Sequence, residues 1–187
     1  MRRILLSVLF LVNLGWLSPA TAASQVLRMH HDMPADSALH KGVMVFKQLV
    51  EARSQGQYRV EVFAANSLGD DLEVVQQLQI GAVQAAPIPS AKLSNLAPAL
   101  QMLDLPFLFA SEASADRFMD GPAGARLLAT LPARGLVGAS FWESGFKQMT
   151  CQNVLSRPSG LKGAHVRVME SPILAAQFRA VGGLPVT

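Results

Sequence analysis

Two short runs of alternating polarity, Gln25–His30 and Tyr58–Phe63, stand on either side of a helical pattern, and this order restricts the fold more than any other feature of the chain. Alternation at period two is the mark of a strand with one buried face. Between the runs, Asp36 or Ser37 offers an N-cap, and Leu39, Val43, Phe46 and Val50 recur at helical spacing to about Arg53, where Ser54-Gln55-Gly56-Gln57 breaks the pattern. A strand, a helix and a strand in this order predict parallel pairing with a right-handed crossover. The pattern then recurs. Asn66-Ser67-Leu68-Gly69-Asp70-Asp71 opens a second helix over Asp70–Ile80, Gly81 stops it, and Ala82–Ile88 predicts a third strand that opens where Pro87 and Pro89 lack a donor. Such repetition predicts an open, doubly wound α/β sheet. Two short helices near Ser111–Met119 and Ala123–Leu131 flank Gly121-Pro122, and Leu136–Trp142 predicts a further strand. The run Asp104-Leu105-Pro106-Phe107-Leu108-Phe109 reads as an apolar turn used in packing.

The 187 residues suffice for one ordinary domain, or one domain and part of a second. Half of them are hydrophobic and only 16% are charged, which places the chain among globular rather than disordered proteins. The formal charge of +3 includes Arg2 and Arg3, and no basic run or aromatic–basic interleaving marks a nucleic-acid surface. Those two arginines, the apolar stretch Ile4–Leu17 and the small residues of Pro19-Ala20-Thr21-Ala22 together predict a secretory signal peptide over residues 1–22, cut after Ala22. Asn13 and Gly15 interrupt the apolar stretch, which is short for a membrane anchor, and no other segment is apolar enough to span a bilayer. The mature protein is therefore expected to be exported and not inserted in a membrane. Cys151 is the only cysteine, so no internal disulfide can form.

The chemistry-bearing stretch is Val166-Arg167-Val168-Met169-Glu170-Ser171-Pro172. Alternation places the two valines on one face of a strand and the guanidinium on the other, and Ser171-Pro172 reads as a helix start with Ser as N-cap and Pro at the first helical position. An arginine on a strand feeding a helix sits at the rim where α/β proteins hold ligands, and its fork of donors matches a carboxylate. Residue types alone favour a solvated side chain or a surface ion pair, for example with Glu170, over a ligand contact at Arg167.

Three pieces in order, Trp142-Glu143-Ser144-Gly145-Phe146-Lys147-Gln148-Met149-Thr150, Leu161-Lys162-Gly163 and Val166 to Pro172, resemble the central signature of TRAP (tripartite ATP-independent periplasmic) transporter solute-binding proteins of the C4-dicarboxylate-binding type. His40, Val60-Glu61-Val62-Phe63, Leu68-Gly69-Asp70-Asp71 and Leu103–Phe109 extend the similarity over about Leu27 to Val186. The resemblance implies a periplasmic-binding-protein-like fold of two α/β lobes enclosing a ligand. Residues 23–140 would form the first lobe, and 141–187 the crossing segment and the start of a second lobe left incomplete. The chain thus resembles the N-terminal portion of a receptor.

By the same resemblance, Arg167 would bind the solute carboxylate. Lys147 stands where relatives commonly carry a second arginine, and would act as a point contact. Asp71 would reach ligand hydroxyl or amino groups, although Asp70 and Asp71 together also read as a helix cap. Trp142 and Phe146 would wall the cleft, and His31, or His30, would line it. The implied partners are a small organic acid anion and the membrane subunits of a TRAP permease, and the implied location is the periplasm. No cofactor and no metal is expected. Gly-x-Gly-x-x-Gly and phosphate-loop fingerprints are absent, and His30, His31, His40 and His165 form no helical His-x-x-x-His pair. Catalysis is not expected either: Trp142 stands where a Gly-x-Ser-x-Gly elbow around Ser144 would need its first glycine. An exported sensor module remains open as an alternative, and less readily an exported α/β hydrolase.

Overall fold

Strand β1 (Gln25–His30) and strand β2 (Tyr58–Phe63) pair in parallel with Gln25 opposite Tyr58 and His30 opposite Phe63, and helix α1 (Ala38–Arg53) makes the crossover. A computed structural model describes residues 24–152 and 154–187; the signal peptide expected over residues 1–22, with its cut after Ala22, lies outside them. Ser37 is the N-cap of α1, its hydroxyl accepting from the His40 N–H at 3.1 Å. Val43 on that helix is fully buried against Met29 and Val60, with Phe46 and Val50 closing the same cluster. The periodic stripe in the sequence therefore packs onto the valine face of the strands.

Helix α2 (Asp71–Gln79) begins with a full capping box. Asp70 Oδ1 accepts from the Leu72 and Glu73 N–H groups at 2.9 Å each, and Glu73 Oε2 accepts from the Asp70 N–H at 3.0 Å. Gly81 follows at φ +74°, a left-handed turn that costs a side-chain-bearing residue steric strain, and the helix ends there. The segment after it differs from expectation. Ala82–Ile88 lies along β1 through one parallel bridge, Met29 to Ala85, and forms no regular strand. Ala85 still exchanges bonds with β1, donating to Arg28 O at 3.1 Å and accepting from the His30 N–H at 3.0 Å. Beyond it Pro87 and Pro89 have no N–H to continue the ladder.

A second cluster is helical. The 3-10 turn Pro98–Asp104 and helices α3 (Glu112–Met119) and α4 (Pro122–Leu128) surround Ala97, Leu100, Leu127 and Leu131. The expected strand at Leu136–Trp142 is instead extended backbone without a ladder, because Leu136 and Phe141 pack into this helical cluster rather than beside a sheet edge. The apolar turn after Asp104 also departs from expectation. Leu105, Phe107 and Leu108 are exposed, Phe107 completely, whereas the single carboxylate Asp104 is buried.

Strands β3 (His165–Arg167) and β4 (Leu184–Val186) form a separate parallel pair joined by helix α5 (Pro172–Ala180). Val168 and Leu174 from this unit bury Ala91 of the first. Mixed helix and parallel sheet, two strand–helix–strand units and a contact between them at Ala91 make an α/β architecture.

Candidate functional site

The β3–α5 junction fixes the guanidinium. Val166 is half-buried and Val168 is buried, while Arg167 between them is exposed, as alternation requires. The backbone there is held from both sides: Val168 N–H donates to Val186 O at 2.8 Å and Leu184 N–H to Ala164 O at 2.8 Å. Among the described residues Arg167 makes no ion pair, with Glu170 or any other carboxylate. Its donors are available.

Lys147 is in the opposite situation. Its ammonium pairs with Asp104 Oδ1, and Ser171 Oγ stands 3.3 Å from Asp104 Oδ2. Gln177 on α5 donates its side-chain amide to Asp104 O. Ser171 occupies the N-cap position expected of it, with Pro172 at the first helical position, but its hydroxyl serves Asp104 instead of the helix end. One buried carboxylate thus ties the segment carrying Lys147 and the helix after Arg167 to the 3-10 turn. A charge buried this well needs such partners. The sequence reading passed over Asp104, although a lone carboxylate inside an apolar run was the signal for it.

A second polar group lies at the C-terminal end of β1 and the start of α2, the end of a parallel pair at which α/β proteins take ligands. Because Asp70 does the capping, Asp71 is free of that task; it is completely buried, with Lys92 Nζ 2.9 Å from Oδ2. That contact is electrostatic rather than a well-angled hydrogen bond, and Oδ1 has no partner. Burial opposes the charge of Lys92, but Asp71 beside it, with Asp32 and Glu170 farther off, prevails and holds its pKa above the ordinary lysine value. The pull of Glu170 shows that the β3–α5 junction lies within electrostatic range.

His30 and His31 are both fully buried. His31 Nε2 shares a hydrogen bond of 3.0 Å with His40 Nδ1 across to α1, whereas neither ring nitrogen of His30 has a partner of good geometry, Asn66 being close by. Burial lowers the pKa of His30, with Asp71 and Asp32 opposing; at His31 burial acts first and His40 and His30 add to it. His31 Nδ1 and the buried Ser94 Oγ are also unpartnered.

The aromatic candidates divide. Trp142 stands edge-on to Phe46 of α1, ring centres 6.4 Å apart, and lies over Gly42, so it props the crossing segment on the first helix while 40% of it stays exposed. Phe146, after Gly145, is 47% exposed. The structure therefore brings Lys147 and the Arg167 junction together through Asp104, gathers Asp71 and His31 at the end of β1, and packs Trp142 on α1. A surface concavity of about 540 Å³ along the 149–161 segment has none of the candidates in its lining. Among the described residues no group of three or more metal-ligating side chains occurs, and no helix is long and apolar enough to cross a membrane.

The sequence matches the bacterial extracellular solute-binding proteins of family 7 (DctP) over residues 29–187. The chain belongs to this family. It is 33% identical over 168 residues to the C4-dicarboxylate-binding periplasmic protein DctP of Rhodobacter capsulatus, covering 89% of this chain and 50% of that one. The crystal structure of a TRAP periplasmic solute-binding protein from Polaromonas sp. JS666 bound to D-erythronate superposes with a TM-score of 0.83 at 30% identity, over 87% of this chain and 54% of that one. The sugar-acid-binding protein DctPAm from Advenella mimigardefordensis, in complex with galactonate, gives a TM-score of 0.82 at 30% identity, with the same coverage of 87% and 54%. The fold of this family 7 chain is accordingly that of the two-lobe α/β periplasmic binding proteins, and the chain spans about half the length of the relatives it matches.

Proposed function

We propose that the protein is a periplasmic receptor, without catalysis of its own, that captures a small organic acid anion and delivers it to a TRAP-type membrane permease. The observation that carries this reading is Arg167: a guanidinium on doubly anchored backbone, exposed, and in no ion pair among the described residues. It is supported by the family and by relatives named for dicarboxylate and sugar-acid binding. In this reading residues 1–22 are a signal peptide, 23–140 the first lobe, and 141–187 the crossing segment and the start of the second. Arg167 takes the carboxylate with two parallel bonds. Lys147 adds a donor not used by Asp104, Asp71 and His31 meet the far end of the solute, and Trp142 and Phe146 flank it. Binding favours closure of the lobes because the closed state makes contacts the open state lacks.

Calorimetry on the protein expressed from its complete reading frame tests the assignment. Arg167→Ala is expected to weaken capture of the preferred acid by about 3 kcal/mol or more, since an enclosed carboxylate loses its partner. Wild-type affinity in that variant would reject the role given to Arg167.

A further inference from the structure

Asp104 ends the 3-10 turn of the first unit with its carboxylate sealed from water, and partners from two other segments converge on it. Oδ1 takes the ammonium of Lys147, which comes from the crossing segment. Oδ2 stands 3.3 Å from the hydroxyl of Ser171, at the end of the turn that follows Arg167. The backbone oxygen of Asp104 accepts from the side-chain amide of Gln177 on α5. The planar carboxylate thus lies between the carriers of the two candidate cations, one oxygen turned to each.

Those cations are fixed by different means. The guanidinium of Arg167 stands on backbone bonded on both sides of it. Lys147 lies on extended backbone, its side chain is half-exposed, and its ammonium ends a flexible four-carbon stem. An ammonium carries three donors, and a partner that occupies one leaves the others at a fixed point. Ordering such a stem before a solute arrives removes that entropy cost from the binding step. The charge of Asp104 would also oppose an acid. From a distance, however, the pair is close to neutral, and the attraction a half-exposed ammonium would gain on release is screened by water and salt. Positioning therefore outweighs repulsion.

We propose that Asp104 is a positioning residue for solute capture: it holds the ammonium of Lys147 at the junction that carries Arg167, so that both cations are set before the acid arrives. The inference rests on the reading of the protein as an acid receptor anchored by Arg167. Asp104 acts through Lys147, its own carboxylate being enclosed.

A double-mutant cycle on the protein from its complete reading frame tests it. Succinate, D-erythronate and galactonate, the acids bound in three related structures, are titrated by calorimetry, and the tightest is carried through the variants. Asp104→Asn is expected to weaken it at least about tenfold, and Lys147→Gln by about the same factor. In the Lys147→Gln background Asp104→Asn is expected to cost less than about twofold, since the residue it acts through is gone. An equal loss in both backgrounds is what a purely structural residue gives, and overturns the inference. So does unchanged affinity in Asp104→Asn. Tighter binding in that variant, strongest at low salt, also overturns it and makes Asp104 a competitor with the acid for Lys147. If thermal unfolding shows that Asp104→Asn does not fold, Ser171→Ala takes its place, because it keeps both charges and loses one tie. It is expected to weaken the acid by about threefold, and wild-type affinity is the contrary result. Arg167→Ala separates this inference from the reading beneath it. An acid lost in Arg167→Ala but held as in the wild type by Asp104→Asn removes the role of Asp104 alone. An acid held equally well by Arg167→Ala, or no acid bound in a wider screen of carboxylates, removes both.

Discussion

Arg167 and Lys147 carry the same charge and stand in opposite circumstances, and the difference comes from a single carboxylate that neither adjoins in sequence. Asp104 is buried in an apolar run, so it must be paired, and Lys147 supplies the pair. What remains on Arg167 is a fork whose geometry matters as well as its charge. Arg167→Lys should therefore retain attraction for an acid yet lose one of two bonds, weakening affinity by about 1.5–3 kcal/mol in calorimetry, less than Arg167→Ala. The histidines make a prediction about acidity. Burial holds His30 and His31 below the ordinary value of 6.5, so the folded protein favours their neutral forms and they take up protons more readily when it unfolds. Stability contributed by these neutral rings is complete above about pH 6.5 and is lost as pH falls below it, by up to about 1.4 kcal/mol per pH unit for each ring. Urea denaturation at about pH 7.5 and 5.5 should show the loss, and replacing either histidine by Asn should flatten it. At this scale strand alternation made the exposure of Arg167 between Val166 and Val168 legible, whereas its role as an anchor was implied only by the family resemblance. Asp104 and Lys92 were hidden because their partners lie far along the chain, at Lys147 and Asp71.

The elements were read well where local chemistry decides them. The cap at Ser37, the breaks at Gly56 and Gly81, and the parallel pairing of the first two strands all follow from residues within a few positions of each feature. The two expected strands that did not form, Ala82–Ile88 and Leu136–Trp142, fail for reasons that propensity does not weigh. The first loses its ladder at prolines, and the second has its apolar residues claimed by the helical cluster around Leu100 and Leu127. Division of labour at the start of α2 gives a test. Asp70→Ala removes a capping box and should cost about 1 kcal/mol of stability by chemical denaturation, with little change in solute affinity. Asp71→Asn leaves the cap intact and should instead weaken solute capture in calorimetry, because the proposed contact at Oδ1 would lose its charge.

Across the whole molecule, three hydrophobic clusters take the place of one continuous core, and the units meet through the small cluster of Ala91, Val168 and Leu174, through Asp104, which links the 3-10 turn to Lys147 and to α5, and through Trp142 leaning on α1. So small a shared cluster costs little to rearrange while the clusters around Val43 and Leu100 stay intact, which suits the lobe closure proposed above. Small-angle scattering of the protein from its complete reading frame should show a smaller radius of gyration with the preferred acid than without it, and Arg167→Ala should abolish the change at the same acid concentration. The central claim is that a guanidinium on rigid backbone grips the acid group of the solute. A crystal structure of that protein with its preferred acid tests it most directly. Both carboxylate oxygens should lie about 2.7–2.9 Å from the terminal nitrogens of Arg167. A solute whose carboxylate is held elsewhere, with Arg167 turned to solvent, would contradict the account.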